Sequence, residues 1–382
     1  LLSLRTRCFK LDVSINMEIK QSSGVTVIES SKPEIDYMIN YKVDDSMSPL
    51  HLFFRDHTGT VFTIVTIAVC YFAILFPEPV SRWLSSFFTL HGAIYSSDGV
   101  VYEKDIRDIC TVVGLTVGLT VLRYFLCHTL FRLIAKWLHI EDTLEKPQLV
   151  HKTEEQAWLV LYYTFSFTTG VTIIRKYIGF SLNNVWKDYP QLLYPWGFKL
   201  FYLTQCAFYF QCLLLLFTEK HRKDMVNMFI HHVITIALIV ISYYTNFSRI
   251  GTVVFAIFDA ADALLPLSKI MQYGWIVIPG YCIFFLFTAV WVFTRHYLVI
   301  KVMVNIYTEP EHILPIIWDP KNGYFVSLVW SKPLFLSLFT LLELLQVLWT
   351  INIFRLIYRQ LFQGITLGDD RSCKDEESPS EE

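Results

Sequence analysis

The chain has 382 residues, of which 54% are hydrophobic and only 17% are charged, and its formal net charge is −2. Its mean hydropathy of +0.43 and its several apolar runs of about 20 residues, the length that crosses a bilayer core, exclude a soluble globular enzyme. Nothing in the charge distribution indicates a nucleic-acid ligand, and the 8 cysteines lack the CxxC spacing typical of a zinc or redox site.

We predict an all-α polytopic membrane protein with about eight transmembrane helices, because backbone groups that face lipid must form their hydrogen bonds within one helix. A polar region, 1–56, precedes a first span and lumenal loop within 57–100. A helical domain follows over 101–360, and an acidic tail, 361–382, is predicted to be disordered. The predicted spans are 58–76, 109–127, 157–174, 200–217, 225–244, 250–267, 275–294 and 333–354.

Four ionisable side chains lie inside two neighbouring apolar runs: His231 and His232 in MFIHHVITIALIVISYY, and Asp259 and Asp262 in IGTVVFAIFDAADALLPLSK. Ionisable groups at membrane depth are costly, so they are the first candidates for a functional site. The short turn TNFSR predicts an antiparallel hairpin with its midpoint near Phe247, fifteen residues after His232 and fifteen before Asp262. His232 and Asp262 should therefore face each other at one depth. His231 and Asp259 should lie within about a turn of that level, with Asp259 on the same helix face as Asp262.

This arrangement suits acyl transfer. A buried aspartate can hold an imidazole in one tautomer and stabilise its cation, which leaves the other ring nitrogen to accept a proton or attack a carbonyl. Two other interpretations stay open: the four groups bridge packed helices, or they line an ion pathway. A metal site is disfavoured, because adjacent residues of a helix diverge by about 100°, so that His231 and His232 would not bind one ion together.

The block Phe201–Tyr273 contains RKD, HH, SYY, RIG, DAAD and LSK in that order. It resembles the signature of the ceramide synthases, the longevity-assurance branch of the TLC-domain membrane proteins. The upstream EEQAWLVLYYTFSF and the last apolar span with its acidic tail are also similar, so the resemblance covers roughly residues 100 to 360. The chain is more similar to the fungal type, because its N-terminal region shows nothing like a homeobox-type insert.

The resemblance implies a TLC-type helical barrel, in which six or more helices surround a central cavity, and it makes 101–360 the TLC catalytic domain. It also implies the reaction: an acyl group moves from acyl-CoA to the amine of a sphingoid base, giving (dihydro)ceramide in the endoplasmic reticulum membrane. Acyl-CoA is then a substrate, and no cofactor is permanently bound. Membrane lipid, a small single-span accessory subunit and a second copy of the chain are the implied partners.

The resemblance further makes His231 and His232 the essential histidines, and Asp259 and Asp262 the essential acidic residues. A sphingoid amine is mostly protonated near neutral pH, so a base must accept its proton as it attacks the thioester. We expect His231 to be this base, or to take the acyl group first as an acyl-imidazole. Asp262 is expected to orient and stabilise the ring, while His232 and Asp259 support it or bind the ammonium group.

A short basic segment, EKHRKD, precedes the His-His run. Its residues Lys220, Arg222 and Lys223 either attract the phosphates of CoA or form an ordinary positive-inside loop. Lys and Arg near the span ends are almost balanced between the two sides, with a small excess that favours cytosolic termini and a cytosolic position for this loop. Glu343, in the last predicted span, is expected to face the interior or to pair with a neighbour.

Three alternative functions remain. Another lipid acyltransferase that uses acyl-CoA is the nearest of them. A non-catalytic TLC-type translocation accessory protein would share the fold, but such relatives lack the HH pair. A transporter or proton channel would also bury His and Asp, but it should show broken helices or inverted repeats, which the sequence does not clearly contain.

Overall fold

The computed structural model describes residues 85–97, 99–142, 148–218 and 224–363, together with isolated positions between 64 and 71. All of the described residues belong to one unit of the chain, 47–382. The polar region 1–56, most of the predicted span 58–76 and nearly all of the acidic tail lie outside the described residues. The basic residues Lys220, Arg222 and Lys223 lie outside them as well.

Seven helices in the described part of the chain are long and apolar enough to cross a membrane. Such runs form helices because lipid offers the backbone no hydrogen-bond partners. Each of the last seven predicted spans overlaps one of these helices, so the all-α polytopic architecture is confirmed. The helices are α1 (Asp108–Trp137), α2 (Leu149–Ile178), α3 (Trp196–Thr218), α4 (Met225–Tyr244), α5 (Ser248–Tyr273), α6 (Val277–Thr308) and α7 (Ser331–Gln363).

Six of the helices form a ring. Each helix contacts the next in the order α2, α3, α4, α7, α6 and α5, and α5 contacts α2, which closes the ring. The remaining helix, α1, packs against α3 and α2 from one side. This closed arrangement matches the predicted helical barrel, and it encloses the interior on which α3, α4, α5, α6 and α7 all border.

Three helices contain a turn of π-helix, at Cys127–Phe131 in α1, Ile174–Ile178 in α2 and Phe293–Leu298 in α6. π-Helical turns are rare and are often found at functional sites. In α6 the π turn carries two basic residues, Arg295 and His296, and the helix continues beyond it to Thr308. The predicted end of this span at residue 294 is well short of the end of the helix, because the helix continues through the polar residues of the π turn.

Helix α5 is interrupted once. Its two segments are Ser248–Asp262 and Leu264–Tyr273. Pro266 lies just beyond the interruption and lacks the N–H group that would bond the carbonyl of Asp262. The break therefore falls directly after one of the predicted site residues.

Short strands and turns lie at one end of the helical ring, which we call the sheet end. Strands β1 (Ala93–Ser96), β2 (Gly99–Tyr102) and β3 (Tyr194–Pro195) form an antiparallel sheet in that order, with Ala93 opposite Tyr102 and Val101 opposite Pro195. Strands β4 (Trp318–Asp319) and β5 (Tyr324–Phe325) form a hairpin between α6 and α7. The connections also contain 3-10 turns at Leu182–Trp186 and Pro320–Asn322 and a short helix, Pro310–Ile313.

Two lysines join the sheet end to the helices. Lys199 of α3 is fully buried, pairs with Asp108 at 2.8 Å and donates to two main-chain carbonyls near the sheet. Lys104 donates to the carbonyls of Tyr243 and Tyr244 at the end of α4, each at 2.8 Å. Burial lowers the pKa of Lys104 to about 7. These contacts fix where α1, α3 and α4 stand relative to one another at this end.

Candidate active site

The two histidines point into the helical ring. On α4, His231 is 9% exposed and His232 is 7% exposed, and their ring centroids lie 5.4 Å apart. Tyr209 of α3 lies 6.4 Å from the first ring and 6.1 Å from the second. Trp349 of α7 meets His231 edge-on at 5.2 Å. The Nδ1 atom of His231 is buried and has no hydrogen-bond partner among the described residues.

Asp259 belongs to a buried hydrogen-bond network that joins α5 to α2 and α3. Its Oδ2 accepts a hydrogen bond from Ser166 Oγ at 2.5 Å and another from Gln205 Nε2 at 3.2 Å. Tyr162 in turn donates to Gln205 Oε1 at 3.0 Å. All four side chains are almost completely buried. Asp259 therefore holds three helices together through neutral donors, as buried polar groups generally require.

Asp262 forms an ion pair with Arg295, which the π turn of α6 directs towards α5. Arg295 Nη2 donates to Asp262 Oδ1 at 2.5 Å and to the carbonyl of Phe258 at 3.0 Å. The guanidinium lies 4.1 Å from the ring centroid of Phe258 and 4.9 Å from that of Trp291. Arg295 is only 3% exposed, and its Nε has no hydrogen-bond partner within the described ranges. Arg295 is thus a buried cation fixed by one carboxylate and two aromatic faces.

The predicted direct pairing of Asp262 with His231 is not what the structure shows. Among the described residues, no hydrogen bond joins either aspartate to His231. The first physical reason is that a guanidinium is a stronger partner for a carboxylate than a neutral imidazole. The second is that α4 packs mainly on α3, whereas α5 packs mainly on α2 and α6.

The four predicted residues nevertheless converge on one interior cluster. Tyr209 contacts both histidine rings. It also lies close enough to Asp259, Asp262 and Arg295 to interact electrostatically with their charges. His231 likewise lies within Coulombic range of Arg295. The structure therefore brings the histidines and the aspartates into one polar region, with a cation that the sequence did not single out.

A second pair, which is half-buried, lies beside this cluster. His296, next to Arg295 in the π turn, bonds the carboxylate of Glu343 through Nδ1 and Thr350 Oγ1 through Nε2 at 2.8 Å. Trp291 also donates to Thr350, at 2.9 Å. The prediction that Glu343 pairs with a neighbour is confirmed. The TRH sequence at the end of the predicted span 275–294 was the signal for Arg295 and His296.

An apolar cavity leads from the sheet end to the cluster. It has about 900 Å³ of empty volume, including its mouth. Trp186, Phe247 and Lys332 line it near the sheet end, and Tyr209, Thr235 and Phe258 line it near the histidines. Most of its other lining residues are apolar, so the cavity suits a hydrocarbon chain. No group of three His, Cys, Asp or Glu side chains in the described part of the chain is placed to hold a metal ion.

Comparison with known proteins identifies the family. The TLC domain model, whose short name is TRAM_LAG1_CLN8, matches residues 152–355. The chain is also 32% identical over 285 residues to the sphingosine N-acyltransferase lac1 of Schizosaccharomyces pombe, covering 74% of this chain and 72% of that protein. The chain belongs to the ceramide synthase family of TLC-domain proteins.

Two other relatives agree with this membership. The chain is 30% identical over 292 residues to the ceramide synthase LAG1 of Saccharomyces cerevisiae, covering 75% of this chain and 69% of that protein. It is 31% identical over 255 residues to ceramide synthase 5 of Homo sapiens, covering 66% and 61% of the two chains. The predicted family is therefore confirmed, and its fungal-like character fits these similarities. The histidines, the aspartates and Arg295 all lie within the TLC domain.

Proposed function

We propose that this chain transfers a fatty acyl group from acyl-CoA to the amine of a sphingoid base and so forms (dihydro)ceramide. The observation that carries the proposal is the position of His231. Its ring is buried between Tyr209 and Trp349, near the inner end of an apolar cavity, and its Nδ1 is bonded to no described residue. The names of the relatives, sphingosine N-acyltransferase and ceramide synthase, support the reaction.

In the direct route, the amine nitrogen attacks the thioester carbonyl while His231 accepts the amine proton. The new C–N bond forms, the C–S bond breaks, and the proton is passed to the departing sulfur, so that CoA leaves as a thiol. In the covalent route, a ring nitrogen of His231 first takes the acyl group and releases CoA. The amine then attacks this acyl-imidazole, and the bond between acyl carbon and ring nitrogen breaks. Both routes return the histidine to its starting state.

The neighbouring residues take different roles from those expected of a carboxylate–imidazole pair. Asp262 fixes Arg295, which holds a positive charge within Coulombic range of His231. A preorganised charge of this kind stabilises the oxyanion that develops on the acyl carbonyl. Asp259 fixes α5 against α2 and α3 through Ser166 and Gln205. His232 shares the Tyr209 contact with His231 and supports the site from the same helix.

The two substrates reach the site from opposite ends in this proposal. His231 lies about 9 Å along α4 from its start at Met225, at roughly 1.5 Å per residue. The loop just before Met225 contains Lys220, Arg222 and Lys223, which are proposed to bind the CoA phosphates. The apolar cavity approaches the histidines from the sheet end and holds a lipid chain. We place the protein in the endoplasmic reticulum membrane, with its termini and the basic loop in the cytosol.

The test uses the purified full-length protein with labelled acyl-CoA and a sphingoid base. We expect amide formation by the wild-type protein and a loss of about 10²- to 10⁴-fold for His231→Ala. His128→Ala is the matched control, because His128 is exposed on α1 and, among the described residues, bonds its own helix at Tyr124 O. Full activity of His231→Ala, or an ester in place of the amide, would refute the proposal.

Denaturing mass spectrometry separates the two routes. After incubation with acyl-CoA alone, the covalent route leaves an acyl group on the chain, and this mass increase is lost in His231→Ala. The direct route leaves the mass unchanged while the complete reaction still yields amide.

A further inference from the structure

Buried polar atoms without partners gather where α4, α6 and α7 meet. In the described part of the chain they include His231 Nδ1 and Thr235 Oγ1 on α4, and Arg295 Nε on α6. On α7 they include Glu343 Oε2 and both amide atoms of Gln346. Buried polar groups in proteins are nearly always hydrogen-bonded, so each exception needs an explanation. Such a concentration beside a catalytic candidate indicates that a polar ligand supplies the missing partners.

The proposed mechanism does not use Gln346, one of the residues in this region. The residue is 1% exposed, and both polar atoms of its side chain, Oε1 and Nε2, lack a hydrogen-bond partner among the described residues. One turn before it, Leu342 lines the apolar cavity, and nearly one turn after it, Trp349 contacts His231. Residues three and four apart share a helix face. Gln346 therefore lies between the cavity and His231 along α7.

Gln205, another buried glutamine, has evident structural partners. Gln205 bonds Ser166, Tyr162 and Asp259, and thereby connects three helices. Gln346 makes no such connection among the described residues, and an unsatisfied buried carboxamide lowers stability. A packing role would be served better by an apolar side chain of the same size. The two open amide atoms are instead suited to a ligand that both donates and accepts hydrogen bonds.

We propose that Gln346 is a substrate-binding residue that hydrogen-bonds a hydroxyl group of the sphingoid base. This inference rests on the proposed function. A hydroxyl both donates and accepts, as a carboxamide does, and in a sphingoid base the hydroxyl-bearing carbons flank the amine. A hydroxyl held by Gln346 therefore places the reacting nitrogen close to His231. A thioester carbonyl offers acceptors only, so it would leave Gln346 Oε1 unsatisfied.

The amide groups of CoA also donate and accept hydrogen bonds, but the direction of α7 places Gln346 on the side of the lipid substrate. Helix α7 runs away from the sheet end, so Gln346 precedes Trp349 and lies on the cavity side of its contact with His231. Helix α4 runs the opposite way, and Thr235, which follows His231 by one turn, also lines the cavity. The basic loop proposed for CoA lies at the start of α4, on the other side of His231. Gln346 therefore faces the lipid substrate.

The test compares the wild-type full-length enzyme with Gln346→Leu on three amines: a sphingoid base, its analogue without the C1 hydroxyl and its analogue without the C3 hydroxyl. We expect wild-type kcat/KM to fall about 10- to 100-fold for the analogue that lacks the bonded hydroxyl. Gln346→Leu should lose a similar factor with the parent base and no longer distinguish it from that analogue. The KM for acyl-CoA should stay unchanged.

Gln211→Leu is the matched control. Gln211 is fully buried on α3, but it donates to Thr120 on α1, away from the cavity. This variant should keep the wild-type discrimination among the three amines. Discrimination by Gln346→Leu equal to that of the wild type would overturn the inference.

A measurement on the wild-type enzyme alone keeps the inference testable if the variant does not fold. Equal kcat/KM values for all three amines would overturn it without any substitution. That result differs from failure of the proposed function, in which the wild-type enzyme forms no amide with any of the amines.

Discussion

The ion pair between Asp262 and Arg295 should be essential for both stability and activity. Arg295→Met leaves the Asp262 carboxylate, 21% exposed, without its charged donor. Asp262→Asn leaves a guanidinium that is 3% exposed between the rings of Phe258 and Trp291. Removing one partner of a buried pair costs about 3–5 kcal/mol, because the remaining charge is neither solvated nor paired. We expect a loss of this size from Asp262→Asn, and a smaller loss from Arg295→Met because water partly solvates the carboxylate that it leaves.

The geometry gives the size of the coupling. The Nη2–Oδ1 distance of 2.5 Å places the two charge centres about 4 Å apart, where their attraction is about 4 kcal/mol at an effective dielectric constant of about 20. The second substitution removes the charge that the first left unpaired. The double variant should therefore be about 2–4 kcal/mol more stable than the sum of the single losses predicts.

Unfolding by SDS in mixed micelles, followed by tryptophan fluorescence, measures the four free energies of this cycle. The control is the pair of Arg107 and Asp105, whose cation is 58% exposed whereas Arg295 is 3% exposed. Arg107→Met should leave stability unchanged within error, because exposed pairs contribute little. Additive losses for Asp262→Asn and Arg295→Met would refute the coupling.

Amide formation by the same variants distinguishes the ion pair from a direct carboxylate–imidazole couple. If Arg295 provides the charge near His231, Arg295→Met and Asp262→Asn should both lower kcat/KM at least tenfold, an effect of about 1.4 kcal/mol or more on the barrier. If Asp262 acts on His231 directly, Arg295→Met should keep most of the activity. Retained activity of Arg295→Met would contradict our assignment.

Three further predictions concern other contacts. Ser166→Ala removes the closest donor of Asp259 and should cost about 1–3 kcal/mol in the same unfolding assay; an unchanged free energy would contradict the network. The pKa of Lys104, about 7, lies below its ordinary value of 10.5, so the unfolded chain binds more protons between these values and stability should rise with pH there. The rise should be absent in Lys104→Met, and identical pH profiles would refute it. Asn246 of the NFS sequon is 4% exposed and donates to the carbonyl of Gly323 at 2.8 Å, so endoglycosidase should not change the electrophoretic mobility of the protein.

The helices were predictable because the membrane restricts the backbone so strongly. In a membrane, an apolar run of about 20 residues satisfies its backbone hydrogen bonds by forming a helix. Seven of the predicted spans are found as helices. The short strands were not predictable, because β2 pairs with β3 across the intervening α1 and α2. The π turn at Phe293–Leu298 was also missed, since its polar residues are explained only by partners on other helices.

The residues of the candidate site could be proposed from the sequence more easily than their partners. The cost of ionisable groups at membrane depth was sufficient to single out His231, His232, Asp259 and Asp262. Their partners depend on the order of helices around the ring, which differs from their order in the chain. Consecutive helices α4 and α5 suggested a histidine–aspartate contact, whereas Asp262 pairs with Arg295 of α6.

The two aspartates, one turn apart, hold α5 from both sides. Asp259 binds neutral donors on α2 and α3, and Asp262 binds a charged donor on α6. Because α5 is interrupted after Asp262, its second segment need not continue in the direction of the first. Because both carboxylates are engaged by other partners, no aspartate occupies Nδ1 of His231. In the proposed mechanism this ring nitrogen is the one that takes the acyl group or the amine proton, and the aspartates act indirectly, by positioning α5 and Arg295.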